Sequence, residues 1–264
     1  MADERSGWPP VGGARTPGPP ADSPRGPRGA SPPRSPVRWG LGDFFLAAVV
    51  GIVGATIASI PFLDANGSLP VAGLVASMLG QAAATLGFLE LIARVKGRGS
   101  LAADFGLALS WRDLGWAPAG LLFSIVAGLA LLPVSWLAGD DAGQEVVKQF
   151  EQARGGVQII FAVAVVVVAP LIEELVYRGV LLRSLLRRMS PAWAVFVSAS
   201  IFGLAHVLFD PGAYVALPAL VALGCLAAVL TVRSGNLSRA ILLHAGFNLL
   251  ATVQIVGRIK GPLG

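Results

Sequence analysis

Apolar residues in this chain come in long, nearly unbroken blocks. Seven stand out, at roughly Phe44–Leu63, Pro70–Ala93, Ala117–Ala138, Val157–Leu182, Ala192–Phe209, Tyr214–Val232 and Leu237–Val256. A helix crossing the hydrocarbon layer of a bilayer needs about 20 apolar residues, within a range of about 17–25, and each block comes close to that. None alternates with a period of two, and an open sheet edge cannot face lipid. The pattern predicts an all-α fold, a polytopic transmembrane helical bundle of about seven spans within a range of six to eight.

Composition agrees. The 264 residues are 55% hydrophobic and only 13% charged, with a mean hydropathy of +0.71, whereas a soluble domain is about 25% charged. The net charge of +5 does not indicate nucleic-acid binding, because the basic residues lie in short connections between apolar blocks, where they orient membrane proteins. Cys225 is the sole cysteine, which excludes a disulfide framework and a cysteine-based metal site.

Residues 1–38 stand apart. From Trp8 to Pro36 the chain is dense in Pro, Gly, Ser and Arg without apolar periodicity, too polar to offset its ordering entropy. This reads as a disordered cytoplasmic tail, with residues 39–264 forming the transmembrane domain and 157–254 its motif-bearing core. It lacks the apolar core of a cleavable signal peptide. Its six arginines against three acids suit either a solvated tail or one held near anionic headgroups.

The connections alternate in charge. Basic residues mark the tail, Arg94, Lys96, Arg98 and Arg112, then Arg183, Arg187 and Arg188, then Arg233 and Arg239. Acids dominate at Asp64, at Asp140, Asp141, Glu145 and Glu151, and at Asp210. The positive-inside rule then predicts a multi-pass cell-membrane protein with a cytoplasmic N-terminus. Seven crossings would leave Arg258 and Lys260 outside, against the rule, so either a re-entrant segment exists or the count differs by one. The segment Trp111–Trp116 before the third span reads as an interfacial anchor.

Against this apolar background a few polar side chains are conspicuous. A charge near the bilayer centre costs roughly 2.5–3.5 kcal/mol on insertion scales, yet the fourth block carries Glu173, Glu174 and Arg178, and the only two histidines, His206 and His244, lie in later blocks. Glu174 and Arg178 are i,i+4 neighbours, the better orientation for an ion pair. Glu173 points about 100° away and is left free to take and return protons. Pro170 predicts a kink and an orphaned carbonyl at Val166. Glu173 lies 14 positions from Arg187 and His206 lies 15 from Pro191, which at about 1.5 Å per residue puts both roughly 21–23 Å from the basic end. His244 and Asn248, again i,i+4, are donors suited to a developing oxyanion. His244 is only five residues from Arg239, so its depth requires tilt or a late helix start. Taken singly, each motif also fits a bland role: a helix end at the interface, a core histidine, or a hydrogen bond between helices.

The ordered set Glu173-Glu174-x-x-x-Arg178, Phe202-x-x-x-His206 and His244-x-x-x-Asn248, over about residues 157–254, resembles the CPBP intramembrane proteases. That family includes CAAX prenyl endopeptidases and proteins linked to bacteriocin processing and self-immunity. The resemblance implies an intramembrane endopeptidase acting on a membrane-associated protein or peptide. It implies that Glu173 and His206 activate the attacking water, that His244 and Asn248 form the oxyanion site, and that Glu174 and Arg178 support them. No cofactor is expected. If a metal took part, Glu173, His206, His244 and Asn248 would be its zinc-type ligands, but no His-Glu-x-x-His pair is present, which favours a metal-free glutamate mechanism. Two other readings stand beside it: a non-catalytic membrane partner or immunity factor retaining the fold, and a proton-coupled transporter, which should show internal repeats that the halves lack. Nothing in the sequence specifies the substrate or requires it to be prenylated.

Overall fold

In the computed structural model the described residues are 37–138 and 156–256, the side chains of 138 and 254–256 excepted. Most of the expected tail, the acidic connection after the third span, and Arg258 and Lys260 lie outside them. Every apolar block becomes a helix: α1 (Leu41–Ser59, extended by a 3-10 turn Ile60–Phe62), α2 (Val71–Lys96), α4 (Trp116–Ala138), α5 (Gly156–Leu186), α6 (Pro191–Phe209), α7 (Leu217–Ser234) and α8 (Ser238–Val256). A short α3 (Leu101–Phe105) and 3-10 turns at Trp111–Asp113 and Pro211–Ala216 complete the order. Among the described residues no strand occurs, and six helices are long and apolar enough to cross a membrane. The seventh block is helical as well, as α8.

α5 is the central element. It contacts α1, α2, α3, α6, α7 and α8, while α1 packs on α2, α4 on α8, and α6 on α7. Its own Leu175, Val180, Leu181 and Leu182 are essentially inaccessible. The outer helices instead turn large apolar side chains outward, such as Phe45 and Ile57 on α1 and Leu122 and Leu129 on α4. In water that would be a liability; in lipid it is the required surface. Trp111 and Trp136, 77% and 83% exposed, flank α4 as indole rings flank membrane spans at the interfaces.

With no hydrophobic drive between helices in lipid, close backbone approach has to supply the packing. At the α4–α8 crossing a Cβ on Gly120 would overlap the Leu243 carbonyl, and one on Gly246 would overlap the Ala117 carbonyl. Only glycine lets these two backbones meet.

The basic connections gather at one end. Arg38 N–H donates to the Lys96 carbonyl at 2.7 Å, and Lys96 pairs with Asp43 at 2.6 Å. The buried Trp39 indole donates to Asp104 at 2.8 Å, and the Arg187 guanidinium lies 4.4 Å from a Trp39 ring centre. Partial burial, then the neighbouring Arg188 and Arg98 charges, pull Arg187 below its ordinary pKa.

Candidate active site

Pro170 shapes the approach to the two glutamates. Ala169 donates its N–H to the Ala164 carbonyl, in π register over Ala164–Val168. The next donor in that register would be Pro170, which has no N–H. The orphaned carbonyl is therefore that of Val165, one residue before the Val166 that straight α-helical counting indicates. Asn248 on α8 donates its side-chain N–H to it at 2.9 Å. A sequence defect on one helix is thus satisfied by a polar residue on another.

Glu174 and Arg178 are fully buried, with Arg178 Nη1 3.1 Å from Glu174 Oε1. This is an ion pair by distance, but it is not aligned as a hydrogen bond, since Arg178 Nη1 and Nε make none. Arg178 Nη2 donates to the Gly224 carbonyl on α7 at 3.2 Å, and the guanidinium lies 4.5 Å from the centre of the Phe202 ring. The same Glu174 Oε1 accepts from His244 Nδ1 at 2.9 Å. A helix end with side chains reaching for headgroups is excluded by this burial.

Glu173 faces elsewhere. Its Oε2 is buried without a hydrogen-bond partner, and it lies 3.7 Å from His206 Nε2 and 3.7 Å from His244 Nε2. Both separations exceed a direct hydrogen bond. The carboxyl and the His206 ring remain about 30% accessible (29% and 31%), whereas His244 is only 2% exposed. His206 Nδ1 is 2.9 Å from the Phe202 carbonyl. A carbonyl only accepts, so Nδ1 carries the proton there, as His244 Nδ1 does toward the Arg-paired Glu174. In their neutral forms both imidazoles turn Nε2 lone pairs toward Glu173. The Phe202 ring lies edge-on to both, with centroids 4.6 and 5.6 Å away, and fixes their planes.

The level of Glu173 and His206 is as counted from the basic end. His244 reaches it by a late helix start. Phe105, wholly buried, packs against Gly179 of α5, where a Cβ would lie 3.0 Å from its own, and Leu237 donates its N–H to the neighbouring Gly106 carbonyl at 3.0 Å. The connection between α2 and α4 therefore dips inward and starts α8 level with Gly179. Six residues along each helix, from Gly179 back to Glu173 and from Ser238 on to His244, then cover the same rise of about 9 Å.

Of the residues singled out in the sequence, Glu173, His206 and His244 converge, with Glu174 and Arg178 directly behind them. Asn248 lies one turn beyond His244, with an amide hydrogen committed to Val165. The sequence reading missed Gly224 and the Val165 carbonyl. Gly224 carries no polar side chain to flag it, whereas Pro170 signalled the carbonyl and missed by one residue.

These residues fall within one family match. Residues 155–250 match the family model described as Type II CAAX prenyl endopeptidase Rce1-like. The matched stretch takes in α5 through most of α8 and holds all seven residues named in the three motifs. It agrees with the resemblance to the CPBP proteases and points to a membrane-embedded protease acting on protein. No curated protein and no solved structure matches the chain.

Imidazole and carboxylate donors are of the kind zinc accepts. Among the described residues, however, no group of three or more His, Cys, Asp or Glu is placed to hold a metal ion. Asn248, the fourth ligand expected from the sequence, gives its amide nitrogen to a backbone carbonyl, whereas a metal would be met by its Oδ1.

Proposed function

We propose that the protein is an intramembrane endopeptidase in which Glu173 and His206 activate a water for attack on a peptide bond. The observation that carries this reading is the Glu173 Oε2 atom, buried, without a hydrogen bond, and 3.7 Å from each of two imidazole Nε2 atoms. Three acceptors facing one another repel unless protons lie between them. A water supplies two, one toward Glu173 and one toward His206 Nε2, over separations that suit a bridging molecule.

Glu173 takes a proton from the water as its oxygen adds to the carbonyl carbon, then delivers that proton to the leaving nitrogen as the C–N bond breaks. The negative charge that develops on the carbonyl oxygen needs donors. His244 becomes one when its Nε2 is protonated, and Glu174 at Nδ1 stabilises that imidazolium, as a carboxylate behind a histidine does in serine hydrolases. Asn248 keeps a second amide hydrogen besides the one given to Val165. Each such donor is worth roughly 2.7–4 kcal/mol. We assign no metal to the reaction.

The test is cleavage by purified protein reconstituted in liposomes, with wild type compared with Glu173→Gln, His206→Ala and His244→Ala at equal protein and equal folding. Loss of cleavage in all three supports the reading. Retention of wild-type cleavage by Glu173→Gln rejects it.

A further inference from the structure

Arginine at the basic end outruns the carboxylates there. The described acids are already taken: Glu90 by Arg94, Asp43 by Lys96 and Asp113 by Arg239. Asp104 accepts from the Trp39 indole and from the Arg98 backbone N–H. Among the described residues Arg98, Arg183 and Arg233 therefore form no ion pair. Uncompensated charge of one sign draws a counter-charge from outside the chain.

Arg183 lines a cleft of about 170 Å³ between the ends of α5 and α7, with Leu182, Leu186, Thr231, Val232 and Gly235. Of its five N–H donors, Nη2 reaches the Gly235 carbonyl at 2.8 Å, while Nε is buried without a partner. The other polar groups of the wall have no donor to spare. The Thr231 hydroxyl donates to the Ala227 carbonyl at 2.9 Å, and the Gly235 N–H to the Thr231 carbonyl at 2.9 Å. Arg233 follows Val232, is exposed, and has no hydrogen bond. The cleft thus joins cationic donors to an apolar wall and contains no acid. Its level is that of lipid phosphate. Arg183 is three residues from Leu186, where the α5 span ends, or about 4.5 Å of rise. The headgroup zone outside the hydrocarbon is roughly 5–7 Å deep on each side.

We propose that this cleft binds the phosphate of an anionic phospholipid through Arg183 and Arg233, with the glycerol and first acyl carbons against Leu182, Leu186 and Val232. A guanidinium matches two phosphate oxygens at once. Basic pockets between transmembrane helices on the cytoplasmic side hold such headgroups, and the positive-inside rule puts the basic end there. A soluble phosphate would satisfy Arg183 and leave the apolar wall bare, so the occupant is a lipid. Arg183 also lies against Gly106, where a Cβ would overlap its Nη2. Gly106 in turn accepts the Leu237 N–H, so a headgroup on Arg183 braces the turn from which α8 and His244 begin. Neither the binding nor its test depends on catalysis.

The experiment is native mass spectrometry of the full chain in detergent, titrated with phosphatidylglycerol or with phosphatidylcholine of the same acyl chains. Melting temperature is followed in parallel. Wild type should retain phosphatidylglycerol in preference and melt higher with it. Arg233→Gln should weaken that binding by about fivefold, the share of one interfacial cation, and Arg183→Gln by at least as much. Arg94→Gln, which removes an equal charge from a residue outside the cleft, should leave it unchanged. Equal retention of the two lipids by wild type overturns the proposal. So does a loss in Arg94→Gln as large as in Arg233→Gln, which would make the effect one of general surface charge. Glycerol 3-phosphate that raises the melting temperature as far as phosphatidylglycerol does would assign the cleft to a free phosphate and overturn the lipid. If Arg183→Gln does not fold, Arg233→Gln decides.

Discussion

His244 Nδ1 and Arg178 Nη1 meet the same oxygen, Glu174 Oε1, at 2.9 and 3.1 Å. One buried carboxylate thereby fixes the tautomer of an imidazole on α8 and neutralises a guanidinium on its own helix. Its neighbour in sequence, Glu173, meets neither group in this way, and the two adjacent glutamates should respond oppositely to the same substitution.

Glu174→Gln removes one partner of a buried pair and leaves the Arg178 charge uncompensated, a change that typically costs about 3–5 kcal/mol. Glu173→Gln removes a carboxyl whose Oε2 makes no hydrogen bond and whose only ion-pair partners are the two imidazoles 3.7 Å away, and those only when protonated. The expected result is a sharply lowered melting temperature for Glu174→Gln. Glu173→Gln should melt near wild type yet lose activity by roughly 10²–10⁴-fold. Thermal unfolding in detergent alongside a cleavage assay checks both.

Asn248→Ala should destabilise the protein by about 1–3 kcal/mol, the cost of a buried carbonyl left unsatisfied. Pro170→Ala supplies the missing N–H within α5, so the Asn248 contact should matter less in that background. A double-mutant cycle should show coupling of at least about 0.5 kcal/mol; strict additivity would mean that Asn248 acts independently of the proline.

Gly120→Val pushes a side chain into the Leu243 backbone, next to His244. Activity should fall along with stability, because the α4–α8 crossing that seats His244 has to open. Gly87→Val, where nothing lies within 4 Å of an added Cβ, is the matched control and should retain both.

Cleavage by purified protein should survive strong chelators such as EDTA and 1,10-phenanthroline. Activity that disappears with chelator and returns with a stoichiometric metal would contradict the metal-free assignment.

Much of the architecture was legible because lipid imposes a simple rule. Apolar blocks of spanning length had to be helices, and each is. The Glu174–Arg178 pair and the shared level of Glu173 and His206 followed from helical rise and spacing alone. His244 was harder. Its depth depends on where α8 begins, and that is set by Phe105 docking on Gly179, a tertiary contact with no local signature. The orphaned carbonyl moved from Val166 to Val165 because the helix adopted π register, which Pro170 permits but does not announce. The Gly224 carbonyl that receives Arg178 was invisible, since any backbone position offers the same acceptor and only packing selects one.

The most direct measurement compares the membrane proteomes of cells carrying wild-type protein and the Glu173→Ala variant at equal abundance, following protein termini. The account expects at least one membrane-anchored protein to accumulate uncut in the variant, and the same protein to accumulate with His206→Ala. Proteomes indistinguishable from wild type in both variants, with the protein's biological effect unchanged, would contradict a catalytic site and leave a scaffold.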